Sequence, residues 1–96
     1  MKIRLLSSAT DDLRAAADFY EAQGEGLGRY FQDSLFIDID SLLEYAGIHS
    51  RVFGHHRLLS KRFPYAIYYT LDEDCVVVRR VLDMRRNPHR TRQALD

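Results

Sequence analysis

The chain of 96 residues has one cysteine, two prolines, five glycines and no tryptophan. Cys75 has no partner within the chain, so an internal disulfide is excluded. A reducing compartment fits that usage. No apolar run approaches the ~20 residues of a membrane span, and the N-terminus lacks a signal-like apolar segment. A cytoplasmic protein without membrane attachment is the expectation. No repeat, low-complexity segment or linker interrupts residues 1–96, which are read as one domain. With 46% hydrophobic and 29% charged residues, the chain is globular rather than disordered.

It also lacks net charge, but the zero conceals an asymmetry. Residues 1–48 hold four basic residues against nine acidic ones, a balance of −5. Residues 49–96 hold ten basic against five acidic, a balance of +5, and nine of those ten are arginine. An arginine-dominated half points to an anionic partner, either nucleic acid or an acidic protein segment. The plainer alternative is that the two halves pair their charges within the fold.

Hydrophobic spacing gives the elements. Ile3, Leu5 and Leu6 form a short opening strand. Ser8 and Asp11 have capping-box spacing at the start of a first helix, with acidic residues in its first turn. Leu13, Ala16, Ala17 and Tyr20 fall on one helical face, widened by Phe19, and Gly24 and Gly26 end the helix. A second helix follows Gly28. Its stripe runs through Leu27, Phe31, Leu35, Ile39, Leu42 and Ala46 to a stop at Gly47, with Asp33, Asp38, Asp40 and Glu44 off the stripe. The short connection favours an antiparallel helical hairpin.

Residues 48–56 read as a loop. Leu58–Phe63, Tyr65–Leu71 and Cys75–Leu82 read as strands, with a turn at Pro64 and a polar hairpin at Asp72–Asp74. The tail from Met84 is basic and reads as a short helix or a mobile segment. The fold class is therefore α+β, a helical hairpin packed on a small antiparallel sheet in the order β-α-α-β-β-β, with the other sheet face partly open.

No metal site and no cofactor is expected. His49, His55 and His56 lack the spacing of a closed site, and His89 is remote. Cys75 reads as a small buried residue, and Gly24–Gly28 lies between helices rather than after a strand, so it cradles no phosphate. Phe63, Tyr65, Tyr68 and Tyr69 read mostly as core, with base stacking by even-spaced ones on the open face as the lesser alternative. The basic set is the candidate site: Arg57, Lys61, Arg62, Arg79, Arg85 and Arg86 for binding an anion or a target. Even spacing puts Arg57 and Lys61 on one strand face, while Arg79 and Arg80 split across two. For metal-free RNA cleavage, Arg57, Lys61, Arg62 and Arg85 would meet phosphorane charge while His89 or a tyrosine moved a proton.

With these elements placed, the chain resembles the RelE/ParE superfamily of toxins from bacterial type II toxin–antitoxin modules. Ala9-Thr-Asp-Asp-Leu13 and Phe19-Tyr-Glu21 carry the resemblance in helix one, and Gly26-Leu-Gly28 opens helix two. Arg57-Leu58, Phe63-Pro-Tyr-Ala-Ile-Tyr-Tyr69 and Val81-Leu-Asp-Met-Arg-Arg-Asn-Pro88 complete it over almost the whole length. The resemblance implies a cognate antitoxin that wraps the toxin into a hetero-oligomer. It also implies a split by target: RelE-like members cleave mRNA in the ribosome, and ParE-like members poison DNA gyrase. The ribonucleases carry an arginine in the middle strand where this chain has Ala66. The expectation is a ParE-like gyrase toxin. The alternatives are a RelE-like ribosome-dependent mRNA endoribonuclease and a degenerate, non-toxic antitoxin-binding domain.

Overall fold

A computed structural model describes residues 1–96. Five strands form one sheet in the order β1-β5-β4-β3-β2: β1 (Lys2–Leu5), β2 (Arg51–Val52), β3 (His55–Leu59), β4 (Tyr65–Asp72) and β5 (Cys75–Asp83). Three pairings are antiparallel, while β1 lies parallel to β5 with Lys2 opposite Cys75 and Leu5 opposite Val78. The sheet is thus mixed rather than wholly antiparallel. Helices α1 (Ser7–Glu21) and α2 (Leu27–Asp40) form the expected hairpin over one face. Ser41 separates α2 from the short α3 (Leu42–Tyr45), so the long second stripe is two helices.

The stripes do what their spacing dictates. Ala9, Leu13, Ala16 and Ala17 of α1 meet Phe31, Leu35 and Ile39 of α2 over Tyr65, Ile67, Tyr69, Val76, Val78 and Val81. Each large side chain buried there contributes roughly 1.5–3 kcal/mol of transfer free energy. Tyr20, Phe31 and Phe63 add an aromatic knot. Tyr20 stacks on Phe31 at 5.2 Å, and Phe63 stands edge-on to both at 4.9 Å.

Helix α1 starts differently from its sequence signal. Ser8 makes no cap; its hydroxyl donates to the Arg79 carbonyl at 2.7 Å, tying the helix to β5. The acidic residues fall beyond the first turn. Asp12 instead accepts from Val81 N at 3.0 Å, on the edge of β5 that β1 leaves uncovered beyond Val78. Asp38 also departs from expectation. It is buried, because its carboxylate accepts from Ser60 Oγ at 2.7 Å and Lys61 N at 3.3 Å. That contact draws residues 60–64 out as a loop and ends β3 at Leu59, four residues before the expected Phe63. Lys61 is therefore off the strand, and its parity with Arg57 does not arise.

The expected loop at 48–56 holds a hairpin. Val52 pairs with His55, and the two residues between them, Phe53 and Gly54, have φ of 54° and 79°. Positive φ at both positions is the type I′ pattern, whose hand matches strand twist. Cys75 opens β5 at its rim and is half-buried rather than enclosed.

Candidate functional site

The basic tail folds as α4 (Pro88–Leu95). The Asn87 side chain caps it by accepting from His89 N at 2.9 Å, and Pro88 occupies the first turn, where its missing N–H costs nothing. Ala94 and Leu95 then pack with Val52 on a second small cluster of Ala66, Tyr68 and Leu82. The sheet face expected to be open is thus partly roofed by α4.

β5 carries a bulge beside this roof. Tyr68 pairs with Arg80, and Tyr69 pairs with Val78, which leaves Arg79 unpaired. The extra residue cancels the alternation, so Arg79 and Arg80 line one cleft together instead of splitting across faces. Neither is free. Arg80 forms a two-toothed pair with Asp12 at 2.7 and 2.8 Å and donates to the Ala94 carbonyl at 3.2 Å, joining α1, β5 and the end of α4. That carboxylate holds the guanidinium pKa above its ordinary value. Arg79 donates to Thr70 Oγ1 at 2.9 Å and reaches Asp72 at 3.8 Å.

The other candidate cations fall into three places. Lys61 is exposed on the loop after β3, and Arg62 beside it bonds Tyr30 Oη at 3.0 Å with its charge 5.9 Å above that ring. Both belong to the α2 side of the molecule. Arg85 is clamped by Asp83 at 3.0 and 2.8 Å. The pair raises the arginine's pKa and lowers the carboxylate's. Near it, burial and the Asp83 charge push the Tyr65 phenol up to about 12. His89 is exposed on α4 with only Gln93, at 3.5 Å, as a side-chain neighbour.

Arg57 and Arg86 are brought together. Arg57 sits opposite Tyr68 in the ladder, and Arg86 follows β5. Both line a cavity of about 130 Å³ between the β2–β3 hairpin and the start of α4, walled by Val52, Phe53, Met84 and Pro88. Both are half-buried, and neither side chain has a hydrogen-bond or ion-pair acceptor in the protein. Tyr68 lines the same cavity at 2% exposure, and its hydroxyl finds only the Met84 thioether, at 4.0 Å. His89 is not among the lining residues, and Ala66 is buried at 0% exposure beneath α4. No three His, Cys, Asp or Glu side chains gather into a group able to hold a metal.

Sequence reasoning missed Val52, Phe53, Tyr68, Met84, Pro88 and Thr91 as lining residues. The signal for Phe53 was present: a residue–Gly pair between Val52 and His55 marks a two-residue hairpin. Tyr68 carried none, because a core tyrosine and a cavity tyrosine look alike in sequence.

A family model described as the ParE toxin of type II toxin–antitoxin system, parDE, matches residues 3–88. Among solved structures, a chain of the chromosomal ParDE toxin–antitoxin system from P. aeruginosa superposes with a TM-score of 0.76 at 21% identity. The match covers 84% of this chain and 92% of that one. No curated protein matches this chain.

Proposed function

Since the chain belongs to the ParE toxin family of type II toxin–antitoxin systems, we propose that it arrests growth in the cytoplasm by docking on an essential target, DNA gyrase. A cognate antitoxin neutralises it by folding over the helical hairpin and the basic sheet face. One observation carries the choice of docking over RNA cleavage: the cationic cavity holds no imidazole, and the only acid–base side chain in its lining besides the arginines is the buried Tyr68 phenol. His89 stands on α4 away from the lining, and the ribonucleases' central arginine is replaced by Ala66 beneath that helix. General acid–base catalysis at a 2′-hydroxyl needs a titrating group within hydrogen-bond reach.

For the antitoxin, the supporting feature is an uncovered apolar surface on α2, α3 and the segment after them. Ile37 is 69% exposed, Leu43 55% and Ile48 73%, with Phe36 and Tyr45 alongside. An acidic segment that folds on binding covers such a surface and supplies counter-charge to the arginines. The ribonuclease reading keeps one observation in its favour, the meeting of Arg57 and Arg86. Running gyrase supercoiling and ribosome-dependent mRNA cleavage side by side with the purified chain separates the two. Inhibited supercoiling with intact mRNA is the expected result, and cleaved mRNA with normal supercoiling overturns it.

A further inference from the structure

We propose that the cavity between the β2–β3 hairpin and α4 is a binding site for a nucleoside monophosphate. The phosphate would be held by Arg57, Arg86 and the Tyr68 hydroxyl, and the base would stack on Phe53. Three independent features meet there.

The first is charge with no direct acceptor, for although the Asp83 carboxylate feels Arg86 electrostatically it makes no bond to it. Of the arginines, 14, 29, 51, 62, 79, 80 and 85 each bond or pair with a named group of the protein. Arg4, Arg90 and Arg92 are exposed to water. Arg57 and Arg86 alone are half-buried with no acceptor, and they share one cavity. Removing a guanidinium from water without a partner is unfavourable, and a phosphate offers the planar, two-toothed contact that arginine favours.

The second is Tyr68. A phenol at 2% exposure ordinarily has a good hydrogen-bond partner, but this one has a thioether at 4.0 Å. A phosphate oxygen in the adjoining cavity is the stronger acceptor. At about 130 Å³ the cavity admits the phosphate but not a whole nucleotide, so the ring must lie at its mouth.

The third is Phe53, which lines the cavity and is exposed to solvent. It holds a φ of 54° at a hairpin position where asparagine is favoured, and it is 41% exposed. A bulky aromatic in the left-handed region is strained, and strain of this kind concentrates at binding sites. An aromatic beside two arginines is the pairing that stacks a base and holds its phosphate.

This inference does not rest on the docking reading, because a titration reads the cavity while growth arrest reads the target. The test titrates adenosine 5′-monophosphate, inorganic phosphate and adenosine separately into the purified chain, with calorimetry and side-chain NMR of the arginines. The monophosphate should saturate at or below about 1 mM, shifting Arg57 and Arg86, with phosphate weaker and adenosine silent. Arg57→Gln or Arg86→Gln should abolish both phosphate-bearing signals. Phe53→Asn is the control for folding: it supplies the residue the turn prefers, so it should raise Tm by about 4 °C or more. The same change should weaken the monophosphate about tenfold and leave inorganic phosphate unchanged. Absence of monophosphate binding overturns the site. So does binding indifferent to both arginine changes, and a monophosphate affinity unmoved in Phe53→Asn overturns the stacking assignment.

Discussion

Tyr69 is fully buried, yet its hydroxyl is fully used. Gly47 N donates to it at 2.8 Å, so its own hydrogen is free for His49 Nδ1, 2.6 Å away. His56 stacks on the tyrosine ring at 5.1 Å, and its Nδ1 lies 2.8 Å from the His49 carbonyl. With the Tyr69 hydroxyl as donor the bond needs a neutral His49, and burial, then the His56 charge, lower the His49 pKa. The folded state therefore binds a proton at His49 less readily than the unfolded chain. That contribution to stability is complete above about pH 6.5, and it is lost as pH falls from there through the folded value. Urea midpoints should drop across this range, and His49→Asn, which keeps an acceptor but cannot titrate, should flatten the drop. An unaltered acid limb in His49→Asn would refute the assignment. Glu21 and Asp83 do not confuse the measurement. Their lowered pKa values give stability that is present above about pH 4 and lost below it. At this scale the sequence showed that Tyr65, Tyr68 and Tyr69 are core. It could not show which hydroxyl is satisfied, because partners come from chain segments far away.

Elements were more legible than side-chain roles, and the helical hairpin shows why. Periodicity in Leu13–Tyr20 and Leu27–Ile39 is a local property, so the two helices and their glycine break followed directly. What fastens them is local only in part. A Cβ on Gly28 would stand 2.7 Å from the Ala17 carbonyl oxygen and 3.1 Å from Glu21 Cβ, so the helices cross where one has no side chain. Glu21, at the end of α1, accepts from Gly26 N at 3.1 Å and Gly28 N at 2.9 Å. These satisfy donors that a helix start leaves open, and they lower the carboxylate pKa. Gly28→Ala should cost roughly 1–3 kcal/mol, because backbone must move rather than a flexible side-chain end. Equilibrium denaturation checks it, and a loss below a few tenths would show the crossing to be looser. The misread elements have non-local causes. The Asp38 carboxylate ends β3, and the bulge at Arg79 reverses a side-chain direction. Two local signals were passed over, the hairpin at Phe53 and the Asn87-Pro88 helix start.

Over the whole molecule, the charge asymmetry survives folding. Of the five ion pairs, Arg80–Asp12 alone joins the acidic half to the basic one. The halves do not neutralise one another, and the basic half is left with Arg51, Arg57, Lys61, Arg62, Arg86, Arg90 and Arg92 outside any ion pair. The tail from Met84 is not a dispensable appendage. α4 roofs Ala66, Tyr68 and Leu82, and its end is held by Arg80. Truncation after Asp83 would uncover that cluster and confuse a folding defect with a loss of function. Single side-chain substitutions avoid the problem. If the chain acts by docking, no residue performs chemistry and a few anchors dominate the interface. His89→Ala should then leave growth arrest and gyrase inhibition nearly unchanged, while Arg57→Ala, Arg86→Ala and Arg90→Ala should weaken both by graded amounts, with antitoxin binding as the control for folding. If the chain cleaves RNA, removing a cation that stabilises developing charge should cost about 10²-fold or more in rate. His89→Ala should then be equally severe. The position of His89 on the exposed face of α4, outside the cavity that Arg57 and Arg86 share, favours the graded outcome. A cleaved mRNA ladder in a purified translation system, lost in His89→Ala, would replace docking with catalysis.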